Sequence, residues 1–448
     1  MIFYIIRICL VLEDCFIQTS VAFTPSNTNI NPFLCDMHIS CSCWLNADQK
    51  YSESQIYLII IEPTTMSRPM EQCLDEDLVF DILTLLPVKS LIRYRCVSNS
   101  WNSIIISRMF ITTHLNLNLN RKQPKLLSNT ANNESHNGFI VYTLDKELCA
   151  FVCNSNRTLT EISRLKIPFP KYNLVNFCNG LFCFDSFTGG YHRVSLWNPR
   201  IRKFKVVSSH HHRIHPFTFI TLGLGYDSQN NDFKILRMIC TSDIFGRQPS
   251  WPEAEIYTLS TDSWRKVLMS VESIRWPIRF LYDRHCTFFN GALHTRARAA
   301  DYKFILSFDV NDERFHEIML PQNYLGGLSV LKCEQLHVFK GSLALIVSDY
   351  INIIHIWEMK EYGVAESWTK KCIPMDYFSY FYGCTNNGEL LFQNANGLVS
   401  TFDPESLNKN IFAIEAASWV GCTCTANSME SLILLDGNNS FGTKVKIK

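Results

Sequence analysis

The hydrophobic pattern changes character near residue 139. From about residue 74 to 110, apolar residues recur at helical spacing; beyond 139 they come in short aliphatic and aromatic runs punctuated by Gly, Asn, Asp and Pro. The stretch "FDILTLLPVKSLIRYRCV" carries Phe80, Ile82, Leu83, Leu85, Leu86, Val88, Leu91, Ile92 and Val97. A surface helix normally shows one apolar stripe and one polar face. Here the apolar positions spill onto two faces. "DEDLVFDILTLL" opens with Asp75, Glu76 and Asp77, where the helix dipole favours negative charge. Asp75 suits the N-cap, and the helix should end before Pro87, because the residue preceding a proline avoids the helical region. A second helix is expected from about Lys89 to Cys96, with Arg93 and Arg95 near its C-terminal end. Ser98 can cap a third, "NSWNSIIIS", whose apolar content is Trp101 and the isoleucines 104–106.

The Asn- and Ser-rich stretch 116–138 reads as a linker with room for some helix at its start. Strand-and-turn punctuation follows, and it repeats. "CNGLFCF" at Gly180, "FNGALH" at Gly291, "FKGSLAL" at Gly341 and "NNGELLF" at Gly388 each place a glycine before an apolar run, with "LGLGYD" at Gly225 as a weaker copy. The intervals are 45, 66, 50 and 47 residues, the long one holding the insertion "CTSDIFGRQPSWPEAE". Pairs of aromatics seven residues apart flank polar turns: Trp197 and Phe204, Tyr257 and Trp264, Phe308 and Phe315. Such pairs suit hairpins whose rings pack across the strands. Trp357 and Trp368 look like the same hairpin with four extra residues, and "STFDPESLNKNIFAI" like a degraded last copy. A period near 50 with several strands per unit points to a kelch-like β-propeller. The glycines are expected where the chain approaches its neighbour. Five copies are visible and residues 139–178 supply a candidate sixth, so about six blades are expected; an irregular β-sandwich is the alternative. The expected architecture is multidomain α + β: a small three-helix domain followed by an all-β propeller. It divides into an extension of doubtful structure (1–65), helical domain (74–115), polar linker (116–138), propeller (139–430) and tail (431–448).

Composition narrows the functional classes. The chain has 448 residues, 47% hydrophobic and 19% charged, ordinary for a folded protein. A formal net charge of +1 argues against a generally basic nucleic-acid binder. The 18 cysteines include no C-x-x-C pair, and many sit in apolar runs, as in "NGLFCF"; they read as reduced thiols packing as small hydrophobes. "MIFYIIRICLVL" is too short for a span and carries Arg7 where a signal peptide wants an unbroken apolar core. Translation of the working protein is expected to begin at Met66 or Met70, and no membrane association is expected.

Chemistry-bearing clusters are few. His210, His211, His212 and His215 lie together, yet consecutive histidines on one strand cannot all converge on a metal, and a solvated loop is the better reading. G-x-S-x-G, Walker-type and H-E-x-x-H patterns are absent from the sequence. No catalytic residues, metal site or cofactor are expected.

The stretch "LDEDLVFDILTLLPVKSLIRYRCVSNSWNSII" resembles an F-box, in the form found in plant proteins with a C-terminal F-box-associated (type 1, kelch-like) domain. "NGLFCF", "SLWNPRIRKF", "LGLGYDSQNNDFKILRM" and "IYTLSTDSWRKV" resemble that associated domain. Together the resemblance covers about residues 74–420. It implies a non-catalytic substrate receptor of a Skp–cullin–F-box ubiquitin ligase, acting in the cytoplasm and/or nucleus in protein degradation. The F-box would bind the Skp adaptor, and through it a cullin; the propeller would bind an unidentified protein to be ubiquitinated. Carried onto this chain, the adaptor-facing set is Leu74, Leu78, Ile82, Leu83, Leu85, Pro87, Val88, Leu91, Val97 and Trp101. One departure stands out: the family has Leu-Pro at the start, whereas Leu74 is followed by Asp75. A block of about 40 residues is small to be stable alone, and a second apolar stripe is an exposed patch unless covered. Cover by the propeller is the alternative to a partner. Trp251 and Trp276 are candidate substrate contacts, since exposed tryptophans often anchor interfaces; packing between blades is the competing role. A binding module outside any ligase, and a propeller lectin or enzyme, remain as other readings.

Overall fold

The computed structural model describes residues 5–12, 15–22, 38–40, 59–60, 76–121, 137–142, 147–153, 159–167, 173–188, 191–207, 218–241, 252–269, 278–299, 302–322, 324, 331–349, 353–385, 388–415 and 430–434. Two units divide the chain, 1–105 and 106–448.

The first unit begins with an antiparallel sheet of strands β1 (Ile5–Leu12), β2 (Cys15–Ala22), β3 (His38–Ser40) and β4 (Ile59–Ile60), in the order β3-β2-β1-β4. No element is expected here from the sequence; two apolar runs separated by two residues are nonetheless a hairpin pattern. Helices α1 (Glu76–Thr84), α2 (Val88–Tyr94) and α3 (Asn99–Ile106) follow. α1 stops ahead of Pro87, whose extended backbone (φ −69°, ψ 153°) starts α2. Ser98 caps α3, its Oγ accepting the Trp101 N–H at 3.1 Å.

Among the described residues the expected three helices are four. α4 (Arg108–Arg121) runs six residues into the stretch read as linker, and it belongs to the second unit. Its Leu115 is buried in an apolar cluster with Leu222, Tyr226 and Phe233, and its Asn116 accepts a hydrogen bond from the Tyr226 hydroxyl at 3.1 Å. Packing onto the β domain stabilises a helix whose sequence, "RMFITTHLNLNLNR", has no clear apolar stripe of its own.

The second unit is built from five antiparallel blades. The first contains β8 (Asn173–Cys178), β9 (Leu181–Thr188), β10 (Tyr191–Asn198) and β11 (Lys203–Val207). The second contains β12 (Thr218–Asp227), β13 (Asp232–Thr241), β14 (Glu253–Thr258) and β15 (Ser263–Val267). The third has a divided inner strand, β16 (Phe280–Leu281) and β17 (Thr287–Phe289), then β18 (Ala292–Arg298), β19 (Lys303–Asp309) and β20 (Phe315–Met319). The fourth is β21 (Leu331–Phe339), β22 (Ser342–Asp349), β23 (Ile353–Met359) and β24 (Trp368–Pro374); the fifth is β25 (Phe378–Cys384), β26 (Leu390–Asn394), β27 (Leu398–Phe402) and β28 (Lys409–Glu415). About six blades were expected. The count differs because β8 joins the first blade, while β5 (Asn137–Tyr142), β6 (Glu147–Cys153) and β7 (Leu159–Lys166) form, among the described residues, a separate three-stranded sheet.

Blades pack face to face through four apolar clusters, one per interface between consecutive blades. The middle strands serve two interfaces at once. In β22, Leu343, Leu345 and Val347 face the third blade, while Ala344 and Ile346 face the fifth. A strand buried on both faces reads as a continuous apolar run rather than an alternation, which is why "SLALIV" shows no period of two.

The aromatic pairs fall in register as the hairpin reading requires: Trp197 opposite Phe204, Tyr257 opposite Trp264, Phe308 opposite Phe315. Ring centroids are 5.5 Å apart in the second pair and 4.7 Å in the third. The fourth pair is a correction: Trp368 lies opposite Met359, and Trp357 lies opposite Lys370. The extra residues shift the register, and Lys370 Nζ sits 5.3 Å from the Trp357 ring instead.

Three of the repeated glycines need a different explanation from the one expected. Asn179–Gly180, Asn290–Gly291 and Lys340–Gly341 are two-residue hairpin turns with both φ angles positive (43° and 90°, 47° and 73°, 49° and 78°). That is the left-handed pair a tight hairpin demands. A Cβ on Gly341 would meet nothing within 4 Å, so dihedral angle rather than crowding selects glycine there. The expected close approach occurs at Gly388, where a Cβ would stand 2.6 Å from Lys340 Cε of the fourth blade, and in the weaker copy, at Gly223 and Gly225 of β12.

At the C-terminal end the expected division is corrected by the packing of residues 431–434. Residues assigned to a tail include Leu432 (0% exposed) and Leu434 (5%), which are core. Leu434 joins the cluster of the first two blades. The Asn198 side-chain amide donates to the Ser431 and Ile433 carbonyls, both at 2.9 Å, and Arg200 pairs with Glu430 at 3.1 Å.

Candidate functional site: a helical docking face and the arginine-rich end of the propeller

The structure sorts the ten residues of the expected adaptor-facing set by depth. Leu78, Leu85 and Val97 are exposed (49%, 61% and 60%), large aliphatic side chains open to solvent. Ile82, Pro87 and Trp101 are half-buried. Leu83, Val88 and Leu91 are buried at 1% or less. Their side chains pack inside, so direct contact with a partner, as expected for them, is not available in this conformation. Leu74 lies outside the described residues, as does Asp75. Trp101 is fixed by an edge-on contact with Tyr94 (centroids 5.6 Å apart), and Arg95 Nε donates to Asn102 Oδ1 at 2.9 Å, locking α3 to the end of α2. The Tyr94 hydroxyl is buried without a hydrogen-bond partner among the described residues, and burial raises its pKa.

In the propeller, a cavity of about 590 Å³ lies among the inner strands β8, β21 and β25 and the segment between β16 and β17. That segment is a bulge. Tyr282 N–H still donates to the Arg296 carbonyl of β18 (2.9 Å), and residues 283–286 then turn toward β12, where Leu222 N–H donates to Arg284 O (2.9 Å), Cys286 N–H to Leu222 O (2.8 Å) and Thr221 Oγ1 to Asp283 O (2.7 Å). Bulges re-aim side chains, and this one turns Tyr282, Asp283, Arg284 and His285 to the cavity lining. Gly223 makes the approach possible, since a Cβ there would stand 2.6 Å from Cys286 Cβ.

Charges around the bulge are ordered by ion pairs. Arg296 donates to Asp283 (Nη2–Oδ1 2.6 Å) and pairs with Glu334 (3.3 Å), which also binds Lys303 (3.2 Å) and the Tyr324 hydroxyl (3.0 Å). Burial alone would lower the Arg296 pKa, but Asp283 and Glu334 reverse the effect and raise it. Burial takes His337 down to about 4 and lowers His285, against an opposing pull from Asp185 on the latter. Both imidazoles are therefore neutral at pH 7. The Tyr382 hydroxyl, on the cavity lining, has no hydrogen-bond partner among the described residues, and burial pushes its pKa up to about 12.

A second depression, about 420 Å³, is lined by Arg279, Phe280, Tyr282 and Arg298. Phe280 meets Phe219 (5.1 Å) and Tyr282 (5.0 Å) edge-on. These residues are not among the expected site residues, although "RFLYDRH" interleaves arginine with aromatics in plain view. Trp251, Trp276 and the His210–His215 group lie outside the described residues. Among the described residues no group of three His, Cys, Asp or Glu side chains could hold a metal, and no helix is long and apolar enough to cross a membrane. Of the eight cysteines whose side chains are described, six are buried, and all eight are free.

Fold and geometry thus define a bladed β domain preceded by a helical block with apolar side chains left in solvent. Comparison with known proteins agrees and is more specific. Residues 136–431 match the F-box associated beta propeller domain and residues 72–113 the F-box domain; the chain belongs to the family of F-box proteins with this propeller. An Arabidopsis thaliana F-box protein is 29% identical over 320 residues, covering 67% of this chain and 72% of that protein. The Arabidopsis thaliana F-box protein CPR1 is 25% identical over 324 residues, covering 66% and 71%. An Arabidopsis thaliana F-box/kelch-repeat protein is 26% identical over 303 residues, covering 66% and 77%.

Proposed function

We propose that this chain is the substrate-recognition subunit of a Skp–cullin–F-box ubiquitin ligase. Its F-box binds a Skp-type adaptor, and through it a cullin, while the propeller binds the protein to be ubiquitinated. The receptor itself performs no covalent step. The observation that carries this reading is the succession, in one chain, of an F-box and an F-box associated propeller. The exposed aliphatic residues Leu78, Leu85 and Val97 support it, because a patch of this kind marks a partner surface. Half-buried Ile82, Pro87 and Trp101 would extend that surface, with Leu83, Val88 and Leu91 holding it from within. The cytosol or nucleus suits a protein whose described cysteines are all free.

The test is co-purification of the full chain with a Skp-type adaptor and its cullin. Leu85→Asp combined with Val97→Asp is expected to weaken adaptor binding at least about tenfold while the protein stays folded. Leu83→Asp is the contrasting variant: a charge at a site 1% exposed should unfold the helical block. Adaptor binding untouched by the surface pair would sink the interface. Asp75 in the place of the family's proline favours a second reading, a binding module outside any ligase. Adaptor recovered without cullin, or neither recovered with the native chain, would select it.

A further inference from the structure

The end of the propeller at which β16 starts and β18 finishes carries more arginine than it neutralises. The nearby carboxylates are taken: Asp283 by Arg296, Glu334 by Arg296 and Lys303, and Asp185 by His192 and Asn173. Arg279 and Arg298 are exposed, and among the described residues neither guanidinium makes an ion pair or a hydrogen bond. They are neighbours, the Arg279 N–H donating to the Arg298 carbonyl at 2.8 Å, and both line the groove over Phe280 and Tyr282. Its aromatic floor is held in place: Tyr282 packs beneath the Arg296 guanidinium and Lys303 Nζ (5.6 and 5.0 Å), and Phe280 is braced by Phe219.

We propose, building on the substrate-receptor reading, that this groove docks an acidic linear segment of the target protein. An apolar or aromatic side chain of the segment rests on Phe280 and Tyr282, and flanking Asp or Glu carboxylates take the forks of Arg279 and Arg298. The guanidinium presents paired N–H donors that match a carboxylate. Aromatic and arginine side chains on a preformed surface are also the composition that dominates binding energy at interfaces. A basic segment is turned away, because its positive charges would face the same two unneutralised arginines. Charges at a rim of this kind act on encounter rate and selectivity, so binding falls as salt rises.

The experiment uses the full chain and a fluorescently labelled peptide with a Leu-Phe pair between two pairs of glutamates, read by anisotropy at two salt concentrations. Binding that weakens at least about tenfold in Arg279→Gln with Arg298→Gln, and is recovered in Arg279→Glu with Arg298→Glu by the peptide carrying lysines, supports the proposal. Both positions are exposed, and an unchanged melting temperature verifies that the variants are folded. Equal binding of the glutamate and lysine peptides, no effect of removing the arginines, or binding only when phosphoserines replace the glutamates overturns it. Adaptor co-purification from the same samples separates the two readings. Retained adaptor with no glutamate-peptide binding overturns the groove alone; lost adaptor binding by the native chain overturns the receptor reading, and the peptide result still decides the groove.

Discussion

Gly223 and Gly341 are both glycines in apolar runs, yet they do opposite jobs. At Gly223 a Cβ would stand 2.6 Å from Cys286 Cβ and 2.9 Å from Leu293 Cδ2, so Gly223→Ala must displace the bulge of the third blade. The expected cost is about 1–3 kcal/mol, as for other overpacked cores. Gly341 has φ 78° and open space around it; Gly341→Ala should cost about 1 kcal/mol from backbone strain alone. Denaturant melts of the two variants rank them, and equal costs would contradict the distinction. The glycine repeat was visible in the sequence, but not which glycines are crowded, because crowding depends on residues 60 or more positions away. His294 is a third case. It is 1% exposed, hydrogen-bonded to the Tyr362 hydroxyl at 2.7 Å, and burial lowers its pKa from 6.5 to about 4. A base with a depressed folded pKa contributes fully above its unfolded value and loses that contribution as pH falls toward the folded one. Stability should therefore drop by about 1.4 kcal/mol per pH unit from this group between pH 6.5 and about 4. His294→Gln should flatten melting temperature against pH in that window; an unchanged slope would rule out His294 as its source.

The helices show how far periodicity reaches. Their starts and stops were legible: proline after α1, Ser98 at the cap of α3. Periodicity also showed two apolar faces, but not which one is turned inward. Leu83, Val88 and Leu91 turn in; Leu78, Leu85 and Val97 turn out. This division explains why Leu83→Asp reports on folding and Leu85→Asp with Val97→Asp on partner binding. α4 was harder to see, since its apolar residues are anchored by a distant β surface and not by a stripe along the helix. Among strands, the hairpin aromatics were readable because cross-strand partners are local. The bulge between β16 and β17 was not, because its backbone hydrogen bonds go to β12 of another blade.

Across the whole β domain, adhesion between blades replaces any single core. Each interface is apolar, and the second and third blades are also bridged by Lys234, which contacts Asp227 (2.5 Å), Glu313 (2.8 Å) and the Val310 carbonyl (2.9 Å). The segment 430–434 brings the end of the described chain back to the first blade. Asn198→Ala leaves the Ser431 and Ile433 carbonyls without their donor and should cost about 1–3 kcal/mol. Truncation after residue 429 should cost more, about 1.5–3 kcal/mol for each of the buried Leu432 and Leu434. Thermal melts test both, and a truncated chain as stable as the full one would show that this segment does not hold the first blade.

Local chemistry settled much in advance: the helical block, the existence of repeated antiparallel units, the hairpins with aromatics seven residues apart and the surplus of apolar residues around Leu85. These follow from propensity, turn stereochemistry and spacing, which act between residues close along the chain. Blade number, the membership of β8 and residues 430–434, and the inward or outward sense of each apolar face were fixed only in three dimensions. So was the convergence of Arg279 and Arg298 on one groove, because it comes from the pairing of β16 with the far end of β18, which brings together residues 19 positions apart. Contacts between residues far apart in sequence leave little periodic trace, and the surfaces that meet partners are made of them.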